Sequence, residues 1–161
     1  MAIALSRFGT LAPPLRGIHS SPTDTFPNTA TLTFYKSGYT SKYLTFTPVE
    51  NLTVSHGLLQ NPTKEQNALW AKYEPDPNSR GYPFIDFGNK LVMKGPIYNA
   101  GVLAGKSWSQ IAASLHDPTS PIAQSVVGAA NYITGAICQM THNQPASVCT
   151  SAAVKAVQGA L

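Results

Sequence analysis

Cys138 and Cys149 are the only two cysteines in this 161-residue chain, and they enclose ten residues, Gln139 to Val148. A disulfide between them would tie a long helix to a final one and would be worth about 3 kcal/mol through loop-closure entropy. Two buried free thiols, packed as small apolar side chains, are a second reading. A catalytic or redox-sensing pair is a third, but the spacing is far from Cys-x-x-Cys and only His142 stands near to lower a thiol pKa. The structural staple is the favoured reading. Pro83 is the other candidate, lying at the mouth of a strand in Gly81-Tyr82-Pro83-Phe84-Ile85-Asp86-Phe87-Gly88-Asn89-Lys90-Leu91-Val92-Met93-Lys94. Proline at the first position of a strand is ordinary on its own.

The remaining chemical inventory is thin. The four histidines, His19, His56, His116 and His142, match no metal-ligand spacing. Seven carboxylates are too dispersed to nominate an acid/base pair. Neither a Gly-x-Ser-x-Gly elbow nor a Gly-rich phosphate loop occurs. No catalytic residue, metal site or cofactor is therefore expected. Asn51-Leu52-Thr53 matches the glycosylation sequon and serves as a surface-loop hint.

At 161 residues the chain fits one domain, 1–161, and 43% hydrophobic residues exclude a disordered reading. Only 11% of residues are charged, against about 25% in an average soluble protein, so Ser, Thr, Asn, Gln and Tyr must cover the surface. The net charge is +4, yet the eleven basic residues are scattered singly from Arg7 to Lys155. Without a basic stripe or recognition helix, nucleic acid is not an expected partner. An even cysteine count in a charge-poor, Thr-rich chain leans toward an oxidising compartment. The first residues have neither a basic n-region nor a long apolar core, so they are not a secretory signal.

Several elements must hold these residues in place. Met1 to Phe8 reads as a helix with Gly9 as its C-terminal cap, but no Ser, Thr, Asp or Asn opens it, so it reads as cut. Leu15 to His19 is a short strand, and a helix leading to a strand predicts a parallel sheet. Thr31 to Tyr35 and Tyr43 to Thr47 alternate as two β runs around Gly38, which predicts an antiparallel arm over 30–49. Leu32 and Phe34 would share one face, and Leu44 and Phe46 another. Thr63 and Gln66 are spaced as a capping box for a helix carrying Leu69, Trp70 and Tyr73. A loop then leads to the Pro-initiated hairpin, 81–94, with Gly88-Asn89 as a two-residue primed turn. Its Ile85, Phe87, Leu91 and Met93 should face the core, with Asp86 and Phe84 opposite.

The C-terminal segment 107–161 reads as helices. Ser107 and Gln110 form a second capping box, Pro121 opens a long helix, and Ala146 to Leu161 forms a last one. No Asp, Glu, Lys or Arg lies between Asp117 and Lys155, and Ile122 to Met140 approaches the length of a membrane span. Gln124, Ser125, Asn131, Thr134 and Gln139 interrupt it, which favours a packed structural helix.

The order helix, strand, arm, helix, Pro-initiated hairpin and C-terminal helices resembles a thioredoxin-like α/β fold from its first helix onward, with the first strand missing. The stretches Ser20-Ser21-Pro22-Thr23-Asp24, Phe26-Pro27-Asn28-Thr29, Tyr39-Thr40-Ser41, Tyr82-Pro83-Phe84-Ile85-Asp86, Trp108-Ser109-Gln110-Ile111-Ala112 and Asp117-Pro118-Thr119-Ser120-Pro121 carry a closer likeness. They resemble an uncharacterised thioredoxin-like domain-of-unknown-function family of actinobacteria and archaea. The likeness continues through Ala136-Ile137-Cys138 and Pro145-Ala146-Ser147-Val148-Cys149.

That resemblance implies a membrane-proximal segment, a strand and a Cys-Pro-x-Cys-like motif ahead of the helix matching Ala4 to Gly9. It places Tyr82 and Pro83, the latter as a cis-proline, at an edge where an extended peptide pairs as an added strand. The implied function is extracytoplasmic thiol-disulfide exchange on a protein or peptide thiol substrate. The chain as it stands lacks the Cys-x-x-Cys that such exchange needs. The alternative is a non-catalytic binding or structural domain on the same scaffold. Any membrane anchor would have to come from upstream, and an exposed strand edge could pair two copies into a homodimer.

Overall fold

Ser120 and Pro121 begin the element around which the rest is built. In the computed structural model, which describes residues 1–161, the Ser120 hydroxyl accepts from the Ile122 N–H at 3.2 Å and Pro121 takes the first turn of a 20-residue helix, Pro121–Met140. Small residues let neighbours approach this helix closely. A short N-terminal helix, α1 (Ala2–Ser6), packs on it through Ala4, which clusters with Ile133, Ala136 and Ile137, and Arg7 donates to the buried Thr134 hydroxyl at 2.7 Å. Removal from water pushes the Arg7 guanidinium below its ordinary pKa. No helix is long and apolar enough to cross a membrane.

The strands form three separate antiparallel ladders, so the chain is a mixed α/β fold but not the parallel sheet predicted from helix-then-strand order. Strand β1 (Gly9–Leu11) pairs with β4 (Tyr39–Ser41), and β2 (Arg16–His19) pairs with β3 (Ala30–Thr33). The predicted 30–49 arm is thereby replaced. Its first half finds β2 as a partner, while Tyr43 to Thr47 makes no ladder. Side chains explain the exchange: Thr33, not Leu32, turns inward, and its hydroxyl donates to Glu50 Oε2 at 2.5 Å while Leu32 stays exposed. Leu44 and Phe46 do share an inward side, with Phe46 edge-on to Phe34 at 5.1 Å and to Tyr39 at 6.0 Å.

Gly9 is a second correction. The first helix ends at Arg7 in right-handed geometry, and Gly9 opens β1 instead of capping the helix. A Cβ at Gly9 would lie 2.2 Å from the Thr40 carbonyl oxygen, so only glycine lets β4 come this near. Residues of β4 do the capping: Tyr39 Oη donates to the Leu5 carbonyl at 3.0 Å and Ser41 Oγ to that of Phe8 at 2.7 Å. Burial at this contact raises the Tyr39 phenol pKa, against a smaller opposing hydrogen bond from Ser41.

Locally encoded elements form where expected. The capping box of Thr63 and Gln66 opens α2 (Lys64–Tyr73), and that of Ser107 and Gln110 opens α3 (Trp108–Leu115). With the long helix as α4, the predicted final helix is two: α5 (Ala146–Cys149) and α6 (Ala152–Gln158). The break falls at Thr150-Ser151, where both hydroxyls turn back to helix carbonyls, Thr150 to Ala146 at 2.8 Å and Ser151 to Val148 at 2.8 Å. Strands β5 (Phe84–Phe87) and β6 (Leu91–Lys94) form the hairpin, paired Phe84 to Lys94 through Phe87 to Leu91. The expected two-residue turn is instead a three-residue loop: Phe87 pairs with Leu91, so Gly88, Asn89 and Lys90 connect the strands, with Gly88 and Asn89 at the positive φ of 62° and 59° that the sequence predicts. Phe87 is buried with Phe8, Ile133 and Ile137, and Ile85, Leu91 and Met93 pack against the same core.

Candidate functional site

The outer face of the hairpin is where the chain gathers aromatic surface. Phe84 lies on the opposite side of β5 from Phe87 and stacks on Trp70 of α2, with ring centroids 5.9 Å apart and planes 25° apart. Tyr73, one helical turn on, reaches Phe84 at 6.3 Å. Tyr82 sets its ring edge-on to Trp70 at 5.2 Å and is 58% exposed, whereas Trp70 is 8% exposed. Trp70 is thus the floor and Tyr82 the exposed rim.

Polar contacts fix that floor. Trp70 Nε1 donates to Glu74 Oε2 at 2.7 Å, and the Gly81 N–H donates to Glu74 Oε1 at 3.4 Å. Arg80 Nε donates to the Glu74 carbonyl at 3.0 Å, which places its guanidinium over the Trp70 ring, 5.1 Å from the centroid. The loop from Glu74 to Tyr82 is therefore drawn back onto the end of α2. The sequence marks this segment only as a loop leading to the hairpin, so neither Glu74 nor Arg80 stands out in it. The available signal was Trp70 and Glu74 at helical i, i+4 spacing, which brings them onto one face.

Strand geometry adds a second property. Pro83 follows a cis peptide bond, as Pro13 and Pro145 do, and its carbonyl accepts from the Gly95 N–H at 2.8 Å. Because antiparallel partners alternate, Pro83, Ile85 and Phe87 direct their main chain toward β6, and Phe84 and Asp86 direct theirs away from it. Neither the N–H nor the C=O of Tyr82 has a partner within the chain. Tyr82, Phe84 and Asp86 thus present a row of main-chain donors and acceptors along an unpaired edge of β5.

The predicted cysteine pair lies elsewhere on the fold. Cys138 and Cys149 are joined by a disulfide, with Cα atoms 5.6 Å apart, and are 0% and 2% exposed among Ala4, Phe8, Phe87 and Val154. No free cysteine remains. The histidines sit on four different parts of the chain: His19 in β2, His116 at the end of α3, His56 3.8 Å from Asp24, and His142 3.4 Å from the Lys90 amine. No group of three His, Cys, Asp or Glu side chains converges to hold a metal ion. An open groove of about 440 Å³ between α3 and α4 includes His116, Gln124 and Asn131 but no carboxylate or thiol, so it offers no nucleophile or acid/base pair.

A family model described as a domain of unknown function (DUF929) matches residues 1–139. The chain belongs to this family. The DUF929 match includes α1, all six strands and nearly all of α4, and with them Trp70, Arg80, Tyr82 and Pro83. It ends one residue after Cys138, so Cys149 and the helices α5 and α6 lie beyond it. No curated protein and no solved structure matches the chain.

Proposed function

We propose that this DUF929 chain is a peptide-docking domain on a thioredoxin-like scaffold of extracytoplasmic thiol-disulfide oxidoreductase descent, and that the chain itself docks rather than exchanges. One observation carries the reading: Tyr82 is exposed, its main-chain N–H and C=O are free, and it stands ahead of Pro83 at the unpaired edge of β5. An extended peptide laid along Tyr82, Phe84 and Asp86 would complete those hydrogen bonds as an added strand. Trp70, fixed by Glu74, gives the edge a rigid apolar floor, so little ordering cost is left for binding.

Exchange needs an accessible thiolate that attacks and a second sulfur that resolves. Both sulfurs of this chain are spent in a buried bond, which supports the non-catalytic reading of the chain itself. The test is a backbone-amide NMR titration with a reduced, S-carboxymethylated insulin B chain, run beside an insulin-reduction assay. Shifts confined to Gly81 through Asp86, without turnover of insulin disulfides, are the expected result. Shifts centred on another face, or reduction of insulin by this chain, would overturn the proposal.

A further inference from the structure

We infer that the Tyr82 edge takes a peptide bearing a carboxylate side chain, and that Arg80 is the residue that selects it. This rests on the docking reading above and specifies its ligand. Arg80 spends one donor, Nε, on the Glu74 carbonyl and lays its flat face on Trp70. Nη1 and Nη2 make no hydrogen bond within the chain, and the only ion pair in the structure joins His56 and Asp24. The result is a half-buried guanidinium, held in orientation, with its bidentate side unused.

The charges around the edge are equal in number, three carboxylates and three cations, and they differ in which already have hydrogen-bond partners. Glu74 already accepts from Trp70 and Gly81, Asp76 from the Asn78 N–H, and Asp86 from the Asn89 N–H. The cations of the same region, Arg80, Lys72 over Tyr73, and Lys94 opposite Phe84, have no anionic partner. Tyr82 and Arg80 approach the same indole, at 5.2 and 5.1 Å from its centroid, so a strand paired at Tyr82 passes within side-chain reach of the guanidinium. A Glu or Asp on that strand completes the fork of Arg80; a neutral or basic side chain leaves it empty.

The probe is a set of fluorescein-labelled octapeptides of β-forming composition, each carrying one Glu at a scanned position, with Gln-matched controls. Binding is read by fluorescence anisotropy. The wild type should favour the best-placed Glu peptide over its Gln control by about tenfold, the scale of one charge-assisted hydrogen bond at a partly exposed site. Arg80→Gln should bring that ratio to about one, whatever it does to the affinity the Glu and Gln peptides share, and Arg80→Lys should retain part of it. Far-UV circular dichroism identifies any variant that has lost its fold, and the wild-type Glu/Gln ratio stands without either variant. Peptides that bind with equal affinity in Glu and Gln forms, or a preference that survives Arg80→Gln, would overturn the selection by Arg80 and leave the docking edge intact. Failure of every peptide to bind, or stronger binding of a single-stranded oligonucleotide competitor at the same edge, would overturn both.

Discussion

Replacing both cysteines with alanine tests the most heavily constrained part of the core. The sequence separation of 11 closes a short loop, for which the chain-entropy relation gives about 3 kcal/mol of stabilisation through the unfolded state. Both sulfurs are fully buried beside Ala4, Phe8, Ile137 and Val154. Truncation therefore also removes packed atoms, so the double variant Cys138→Ala, Cys149→Ala should lose about 3 to 5 kcal/mol. Urea unfolding followed by far-UV circular dichroism measures this, and m should rise because the uncrosslinked chain exposes more surface on unfolding. Thiol titration of the unreduced, denatured wild type should find no free sulfhydryl. An unfolding free energy within about 0.5 kcal/mol of wild type would refute the staple's energetic role, and two titratable thiols would refute the bond.

Other perturbations reach different parts of the account. Gly9→Ala should destabilise by about 2 kcal/mol or more, because the new methyl meets the Thr40 carbonyl and must push β4 from β1; thermal melts give the shift. The Asp117 carboxyl is held below its ordinary 3.8 first by the Thr119 hydroxyl, then by the Thr119 N–H. A depressed carboxyl stabilises the fold above its unfolded pKa and loses that contribution as pH falls through its folded one. Asp117→Asn should therefore flatten the decline in stability below pH 3.8, read from urea midpoints at stepped pH. Trp70→Ala should cost about 3 to 5 kcal/mol, because it removes the buried ring on which Phe84 and Tyr82 pack, and a melt unchanged from wild type would count against a fixed floor.

What the sequence made legible is what short stretches of chain decide by themselves. Thr63 with Gln66, Ser107 with Gln110, and Pro121 start their helices through contacts three residues apart or less, and Gly88-Asn89 turns the hairpin through its own φ preferences. The arm failed as a prediction because strand pairing is settled by distant partners. Residues 39–41 join 9–11, and residues 30–33 join 16–19, choices that Gly9 and the inward Thr33 make favourable. The candidate site was half legible for the same reason. Tyr82 and Pro83 stand out at a strand mouth, whereas Arg80 acquires its role only when the loop folds back so that its Nε reaches the Glu74 carbonyl. The cysteine pair was readable in outline from loop length, but the break between α5 and α6 falls at Thr150-Ser151, whose hydroxyls turn back to the Ala146 and Val148 carbonyls, and no motif in the sequence marks it.

A peptide that pairs along the open edge of β5 should protect the amides that face the new strand, and amide hydrogen exchange with and without saturating Glu-bearing octapeptide reads that protection residue by residue. Exchange at Tyr82, Phe84 and Asp86, whose main chain points away from β6, should slow on binding, while Ile85 and Phe87, already paired with Met93 and Leu91, should change little. Protection confined to the groove of Leu115, Val127 and Asn131, or no protection at saturation, would contradict it.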